Sequence, residues 1–166
     1  MWSSERLLKL VATVLAVALL AGCGFQVRGA AQLPPSVGVV YIDTSDRYTV
    51  FCRQLTAAIR QDNRRITRDS TAADAVIRIL RDETGQRVLS VSARNVPREY
   101  DVYYTIRYSV LVDGNEVLPP EQLTLTRDYT YDETQVLGKA LEEETLRESL
   151  AADLVGLVTR RVSSLL

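Results

Sequence analysis

The sequence contains no histidine, and cysteine occurs only at positions 23 and 52. Histidine is the usual acid–base side chain near neutral pH and the commonest metal ligand. A Ser/His or Cys/His nucleophilic pair cannot be assembled without it. Two cysteines can form neither a disulfide framework nor a zinc-binding cluster. We therefore predict that the protein is not an enzyme and that it uses no metal or other cofactor.

Without histidine, carboxylates could in principle pair as acid and base. Asp74, Asp82 and Glu83 form one such group, and Asp101 and Asp128 form another. A soluble surface explains these residues more simply. We keep catalysis only as the weakest of three functional classes.

An excess of charge of either sign is also missing, because 20 basic side chains face 21 acidic ones. Such a balance gives no overall attraction to nucleic acid or to anionic lipid. We therefore predict no nucleic-acid partner, and an anionic ligand would have to be met by a local basic patch.

The N-terminus has the pattern of a lipoprotein signal peptide. A start that contains Arg6 and Lys9 is followed by an uncharged stretch at 10–21, which is shorter than the roughly 20 apolar residues of a membrane span. The stretch closes on Leu-Ala-Gly-Cys, so we predict cleavage before Cys23 and lipidation of its thiol. An ordinary signal peptide beside a cysteine is the alternative. Because Gly24, and not Asp, follows the cysteine, an outer-membrane destination is the default.

Three segments follow from this interpretation: a signal peptide at 1–22, a lipidated tether at 23–36 and a single domain at 37–166. Pro34 and Pro35 suit an extended tether. Removing the signal peptide leaves 144 of the 166 residues, which is enough chain for one ordinary domain.

Hydrophobic periodicity predicts strands and two amphipathic helices. In chain order they are strand 37–42, helix 48–63, strand 75–80, strand 99–112, strand 122–129 and a helix from residue 132 to the C-terminus. Residues 87–91 either continue the second strand past a bulge at Gly85 or return as a hairpin. Cys52 recurs with Leu55 and Ile59 on one helical face, which favours a core position over a free reactive thiol.

The strand at 99–112 alternates most clearly, with apolar side chains at even positions and mainly polar ones at odd positions. Successive strand residues point to opposite faces. We therefore predict a two-layer α+β fold of order β-α-β-β-β-α. Two amphipathic helices would pack on one face of a mostly antiparallel or mixed four-stranded sheet, and the other face would stay polar and tyrosine-rich.

Four short motifs resemble the LptE family of LPS-assembly lipoproteins. They are Cys-Gly-Phe-Gln-Val-Arg-Gly at 23–29, Glu-Tyr at 99–100, Arg-Asp-Tyr at 127–129, and Val-Leu-Gly-Lys at 136–139 leading to Glu142 and Glu143. The family often has His where Gln26 stands. The resemblance implies an outer-membrane lipoprotein, anchored on the periplasmic side, that sits inside the LptD β-barrel, through which lipopolysaccharide reaches the cell surface. It would plug that barrel, assist its assembly and contact lipopolysaccharide.

Lipopolysaccharide presents phosphates beside acyl chains, so a protein that binds it needs Lys or Arg next to apolar surface. Lys139 is the only lysine after the predicted cleavage site, and Arg94 and Arg98 flank the loop before the long strand. We predict these three residues as lipopolysaccharide contacts, with solvated surface charges as the simpler alternative. A periplasmic lipid-binding or transport-auxiliary lipoprotein without a barrel partner remains the second functional class.

Overall fold

Five strands and two long helices make up the part of the chain that the computed structural model describes. That part is residue 33, residues 36–130 and residues 136–165, with only the helical backbone described for 136–140. The elements are β1 Val39–Asp43, α1 Val50–Gln61, β2 Arg65–Thr67, a 3-10 turn Ser70–Ala72, β3 Ala75–Val91, β4 Pro97–Val112, β5 Asn115–Thr130 and α2 Val136–Ser163. The predicted α+β class is confirmed. The predicted helix start at residues 132–135 lies outside the described residues.

The strands form one mixed sheet in the order β2-β1-β3-β4-β5. β1 pairs in parallel with both β2 and β3, and the remaining pairs are antiparallel. The prediction had four strands, and the fifth is β2. Its three residues, Arg-Ile-Thr, are too few to show a strand period.

The open question at Gly85 has a clear answer, because β3 is one continuous strand of 17 residues. Gly85 pairs directly with Tyr103 in the regular antiparallel register. The register shifts at Leu80 and Leu89 instead, where β3 has a residue with no counterpart on β4. The long strand therefore does have a long partner, and the irregularities sit on either side of the glycine.

Both helices bury their apolar stripes against one face of the sheet. The even positions of β4, from Val102 to Val110, are buried as predicted. They share one hydrophobic cluster with Phe51 and Leu55 of α1 and with Leu154 of α2. Cys52 is also in this cluster, which confirms it as a core residue. Neither helix, within the described residues, has the length and hydropathy that a membrane span requires.

A partly buried hydrogen-bond network joins the start of α1 to the sheet. The Tyr104 hydroxyl donates to Oδ1 of Asp82 at 2.8 Å and accepts from the Phe51 N–H at 3.1 Å. Thr49 caps the helix by accepting from the Cys52 N–H, and it donates to Oδ2 of Asp82 at 2.6 Å. Burial raises the pKa of Tyr104, so the phenol stays protonated as the donor to Asp82.

The chain just before β1 is fastened to the end of α1. Leu33 is buried, its N–H donates to Oδ2 of Asp62 at 2.8 Å, and its carbonyl accepts from Arg64 at 2.8 Å. Leu33 falls within the predicted tether at 23–36, whose other described residue, Ser36, is exposed.

Candidate functional site

The face of β3, β4 and β5 that points away from the helices is polar along most of its length. Strand pairing places the odd positions of β4 next to polar or charged neighbours on both sides. The side chains on this open face include Arg78, Arg81, Glu83, Arg87, Glu99, Asp101, Tyr103, Thr105, Arg107, Ser109, Gln122, Thr124, Thr126 and Asp128. The prediction of a polar second face is confirmed for these three strands. The prediction that this face is tyrosine-rich is wrong, because Tyr103 is the one tyrosine of β4 on it, while Tyr104 and Tyr108 are buried on the helix side.

Ion pairs hold much of the charge on the open face in place. Arg78 contacts Asp43 of β1 at 2.9 Å, and Arg87 contacts Asp101 of β4. Asp101 is only 5% exposed, and the Arg87 guanidinium is the opposite charge beside it. The face is therefore an ordered array of paired charges and hydroxyls, such as the Thr105–Thr124 contact at 2.9 Å.

Tyr103 lies flat on this face because Gly85 opposite it has no side chain. A Cβ atom at Gly85 would stand 2.6 Å from the Tyr103 hydroxyl and 2.8 Å from Cζ. Glycine in a strand interior is unfavourable unless something approaches the backbone closely, and here an aromatic ring does. The open face thus has an aromatic surface at its centre that is level with the sheet.

The β3–β4 hairpin carries two of the three predicted basic contacts. Arg94 is exposed in the loop, which is closed by the Ser92 N–H donating to the Val96 carbonyl at 2.7 Å. Arg98 is exposed at the second residue of β4.

The same hairpin end exposes apolar side chains that the sequence did not single out. Val88, Leu89 and Val91 are each about half exposed, at 48%, 53% and 52%. Three apolar residues among the four at 88–91 are the available sequence signal, but a strand in the core has the same pattern. The hairpin end combines guanidinium groups with apolar surface, which is the chemistry of an amphiphilic anion site.

Lys139 lies in the first turns of α2, and its side chain is outside the described residues. β5 ends at Thr130, which pairs with Glu99 near the hairpin, and α2 begins six residues later. The topology therefore brings the start of α2 to the hairpin end of the sheet. Cys23, the predicted lipidation site, also lies outside the described residues.

Four of the five carboxylates considered for catalysis have structural partners. Asp74 accepts from the N–H groups of Gly38 and Val39, at 2.9 and 2.8 Å, and Glu83 pairs with Arg81. Asp82 belongs to the partly buried network at the start of α1, and Asp101 pairs with Arg87. No group of three or more Cys, Asp or Glu side chains suited to a metal ion occurs among the described residues.

The thiol of Cys52 is poorly suited to nucleophilic chemistry. Burial raises its pKa, and the negative charge of Asp82 raises it further.

Comparison with known proteins agrees with this description. A family model described as "LptE: Lipopolysaccharide-assembly" matches residues 37–162. The chain is 29% identical over 137 residues to the LPS-assembly lipoprotein LptE of Yersinia enterocolitica, and 28% identical to that of Yersinia pestis. Each alignment covers 82% of this chain and 66% of the relative, so the chain spans just under two thirds of the length of these relatives.

Solved structures share the fold. An uncharacterized lipoprotein B from Nitrosomonas europaea, solved by NMR, matches with a TM-score of 0.70 and 28% identity, over 85% of this chain and 91% of that one. The rare lipoprotein B from Shewanella oneidensis matches with a TM-score of 0.67 and 23% identity, over 76% of this chain and 94% of that one.

Proposed function

Because the chain belongs to the LptE family, we propose that it acts in lipopolysaccharide assembly as a non-enzymatic outer-membrane lipoprotein. It plugs the lipopolysaccharide-translocating β-barrel LptD and assists the assembly of that barrel. Cys23 carries the lipid anchor, which holds the domain at the periplasmic side of the membrane and in the barrel lumen.

The observation that carries the proposal is the open sheet face. It extends along strands of 16 and 17 residues, or about 55 Å at 3.3–3.4 Å per residue. The lumen of a large outer-membrane barrel is polar. A surface of paired charges, threonines and a Tyr103 ring that lies flat on the sheet suits contact with such a lumen better than contact with lipid or with a hydrophobic core.

Lipopolysaccharide contact is assigned to the hairpin end and the start of α2. Arg94, Arg98 and Lys139 would bind lipid A phosphates, since guanidinium and ammonium groups form charge-assisted hydrogen bonds with them. The half-exposed Leu89 and its neighbours would meet the acyl chains.

Site-specific photo-crosslinking tests the barrel partnership. A photoreactive amino acid at Thr126, exposed on the open face, should crosslink to a large outer-membrane barrel in cells. The same group at Ala57, on the outward side of α1, is the matched control and should not. The proposal fails if Ala57 crosslinks to the barrel and Thr126 does not, or if neither does. Abundant extractable lipid without any barrel would favour a stand-alone lipid-binding lipoprotein.

Charge reversal tests the lipopolysaccharide contacts. The double variant Arg94→Glu with Lys139→Glu, made in the full-length chain in neutral detergent, should bind lipopolysaccharide at least about tenfold more weakly. Arg160→Glu, at an exposed site in the last turns of α2, is the control for a general charge effect. Unchanged affinity in the double variant would remove this site.

A further inference from the structure

A second concentration of positive charge lies between α1 and the β1–β2 edge of the sheet. It surrounds a pocket of about 370 Å³ that is lined by Arg47, Arg53, Arg60 and Arg68. We call this the arginine pocket. Hydroxyl groups and apolar side chains, including Thr56 and Ile66, complete its lining.

The four arginines come from three separate stretches of chain. Arg47 is in the β1–α1 loop, Arg53 and Arg60 are seven residues apart on α1, and Arg68 directly follows β2. β1, α1 and β2 form a parallel β-α-β unit. The pocket therefore lies outside the carboxyl ends of two parallel strands, which is where ligands bind in open α/β sheets.

The positive charge of the arginine pocket lacks a bound counter-charge. In the part of the chain that the structure describes, none of the seven ion pairs involves any of its four arginines. Asp46 and Asp69, each next to a pocket arginine in the sequence, accept from the backbone N–H groups of Tyr48 and Thr71. Asp62, two residues after Arg60, pairs instead with Arg64. Four like charges around one small volume repel each other. An anionic ligand would remove that repulsion.

We propose that the arginine pocket binds a phosphate-bearing ligand. The planar guanidinium fork matches a phosphate group with two parallel hydrogen bonds, and arginine is the preferred residue for this recognition. The volume suits a small phosphorylated molecule or a phosphorylated head group, not an extended peptide. The Thr56 hydroxyl adds a further polar group, and Ile42 and Ile66 offer an apolar wall to the rest of the ligand.

This site is separate from the hairpin end. β1 pairs with β3 at Arg78, whereas the hairpin follows Val91. Thirteen residues of strand separate those two points, or about 40 Å. A ligand at one site therefore does not contact the other.

Isothermal titration calorimetry of the full-length chain in neutral detergent tests the proposal, with inorganic pyrophosphate as the probe. We expect saturable binding of one pyrophosphate per chain. A second titration uses micelles doped with phosphatidic acid. Tighter binding of the doped micelles than of pyrophosphate would identify a lipid head group as the source, provided that the pocket variants described next lose it. Pyrophosphate binding alone would identify a soluble phosphate ester.

The double variant Arg53→Gln with Arg60→Gln should bind pyrophosphate at least about tenfold more weakly. Its melting temperature without ligand should equal or exceed that of the parent, because two repelling charges are gone. Arg68→Gln, on a different stretch of chain, gives an independent test that does not alter α1.

Two controls separate the arginine pocket from general charge and from the hairpin site. Arg107→Gln removes an exposed arginine of the open face, and Arg94→Glu alters the hairpin. Both should retain pyrophosphate binding. Absence of saturable binding in the parent, or unchanged affinity in both pocket variants, would overturn the proposal.

Discussion

Tyr104 and Tyr108 offer a matched test of what a buried hydroxyl contributes to this fold. They are four residues apart on β4, face the same side and are 1% and 0% exposed. The Tyr104 hydroxyl bonds to Asp82 and to the Phe51 N–H, whereas the Tyr108 hydroxyl has no hydrogen-bond partner among the described residues. The two tyrosines are therefore similar in position and burial but differ in whether the hydroxyl has a hydrogen-bond partner.

Tyr104→Phe should be costly. Phe51 is in the first turn of α1, where the backbone N–H has no partner within the helix, and the residue is fully buried. Removing the hydroxyl leaves that N–H and Oδ1 of Asp82 unsatisfied, at about 1–3 kcal/mol for such groups. We expect a loss of about 2 kcal/mol, or about 8 °C in melting temperature for a domain of this size.

Tyr108→Phe should be neutral or slightly stabilising, since it removes a buried polar atom that gains nothing in return. Thermal unfolding followed by circular dichroism measures both variants. Equal losses in the two, or a larger loss for Tyr108→Phe, would refute the account.

Three further predictions concern the loss of stability at alkaline pH, the hydrogen bonds of Asp74 and the contact between Gly85 and Tyr103. Burial and, secondarily, the charge of Glu121 raise the pKa of Tyr108 from 10 to about 12. The unfolded state therefore releases its proton first, and stability falls between pH 10 and 12 by up to about 1.4 kcal/mol per pH unit for this group. In thermal melts at alkaline pH, the stability of Tyr108→Phe should therefore fall less steeply with pH than that of the parent. Asp74→Ala leaves two N–H groups at the start of β1 without their acceptor and should cost about 2–3 kcal/mol in urea unfolding, with Asp74→Asn costing less. Gly85→Ala should cost about 1–2 kcal/mol with Tyr103 present, yet be neutral or stabilising beside Tyr103→Ala, which a double-mutant cycle measures.

The layered fold was predictable because its main strand has a clear period. The even positions of β4 are apolar without exception from Tyr100 to Val112, and no other regular structure buries such a set together. β2 was missed because three residues cannot establish a period. The two alternatives at Gly85 share the same local pattern, and only the pairing with Tyr103 distinguishes them.

The sites were less predictable because they depend on which elements meet. Arg53 and Arg60 resemble the residues on the solvent-exposed face of any amphipathic helix, and no local sequence pattern relates them to Arg47 or Arg68. The apolar residues at the end of β3 likewise have the sequence pattern of a buried strand. Exposure and convergence are tertiary properties, and a periodic pattern does not encode them.

The two outer strands of the sheet are very unequal in length. β2 has three residues, so the sheet edge that it forms is short, whereas β5 forms an edge of 16 residues. Pro119 and Pro120 have no N–H to offer there, and Arg127 and Asp128 place charge near the far end. Between them, residues 122–126 alternate Thr and Leu after one Gln and carry no charge. An uncharged strand edge can pair with an edge of another chain, and prolines and charges are what proteins use to limit such pairing. The residues on either side of 122–126 are therefore suited to that protective role.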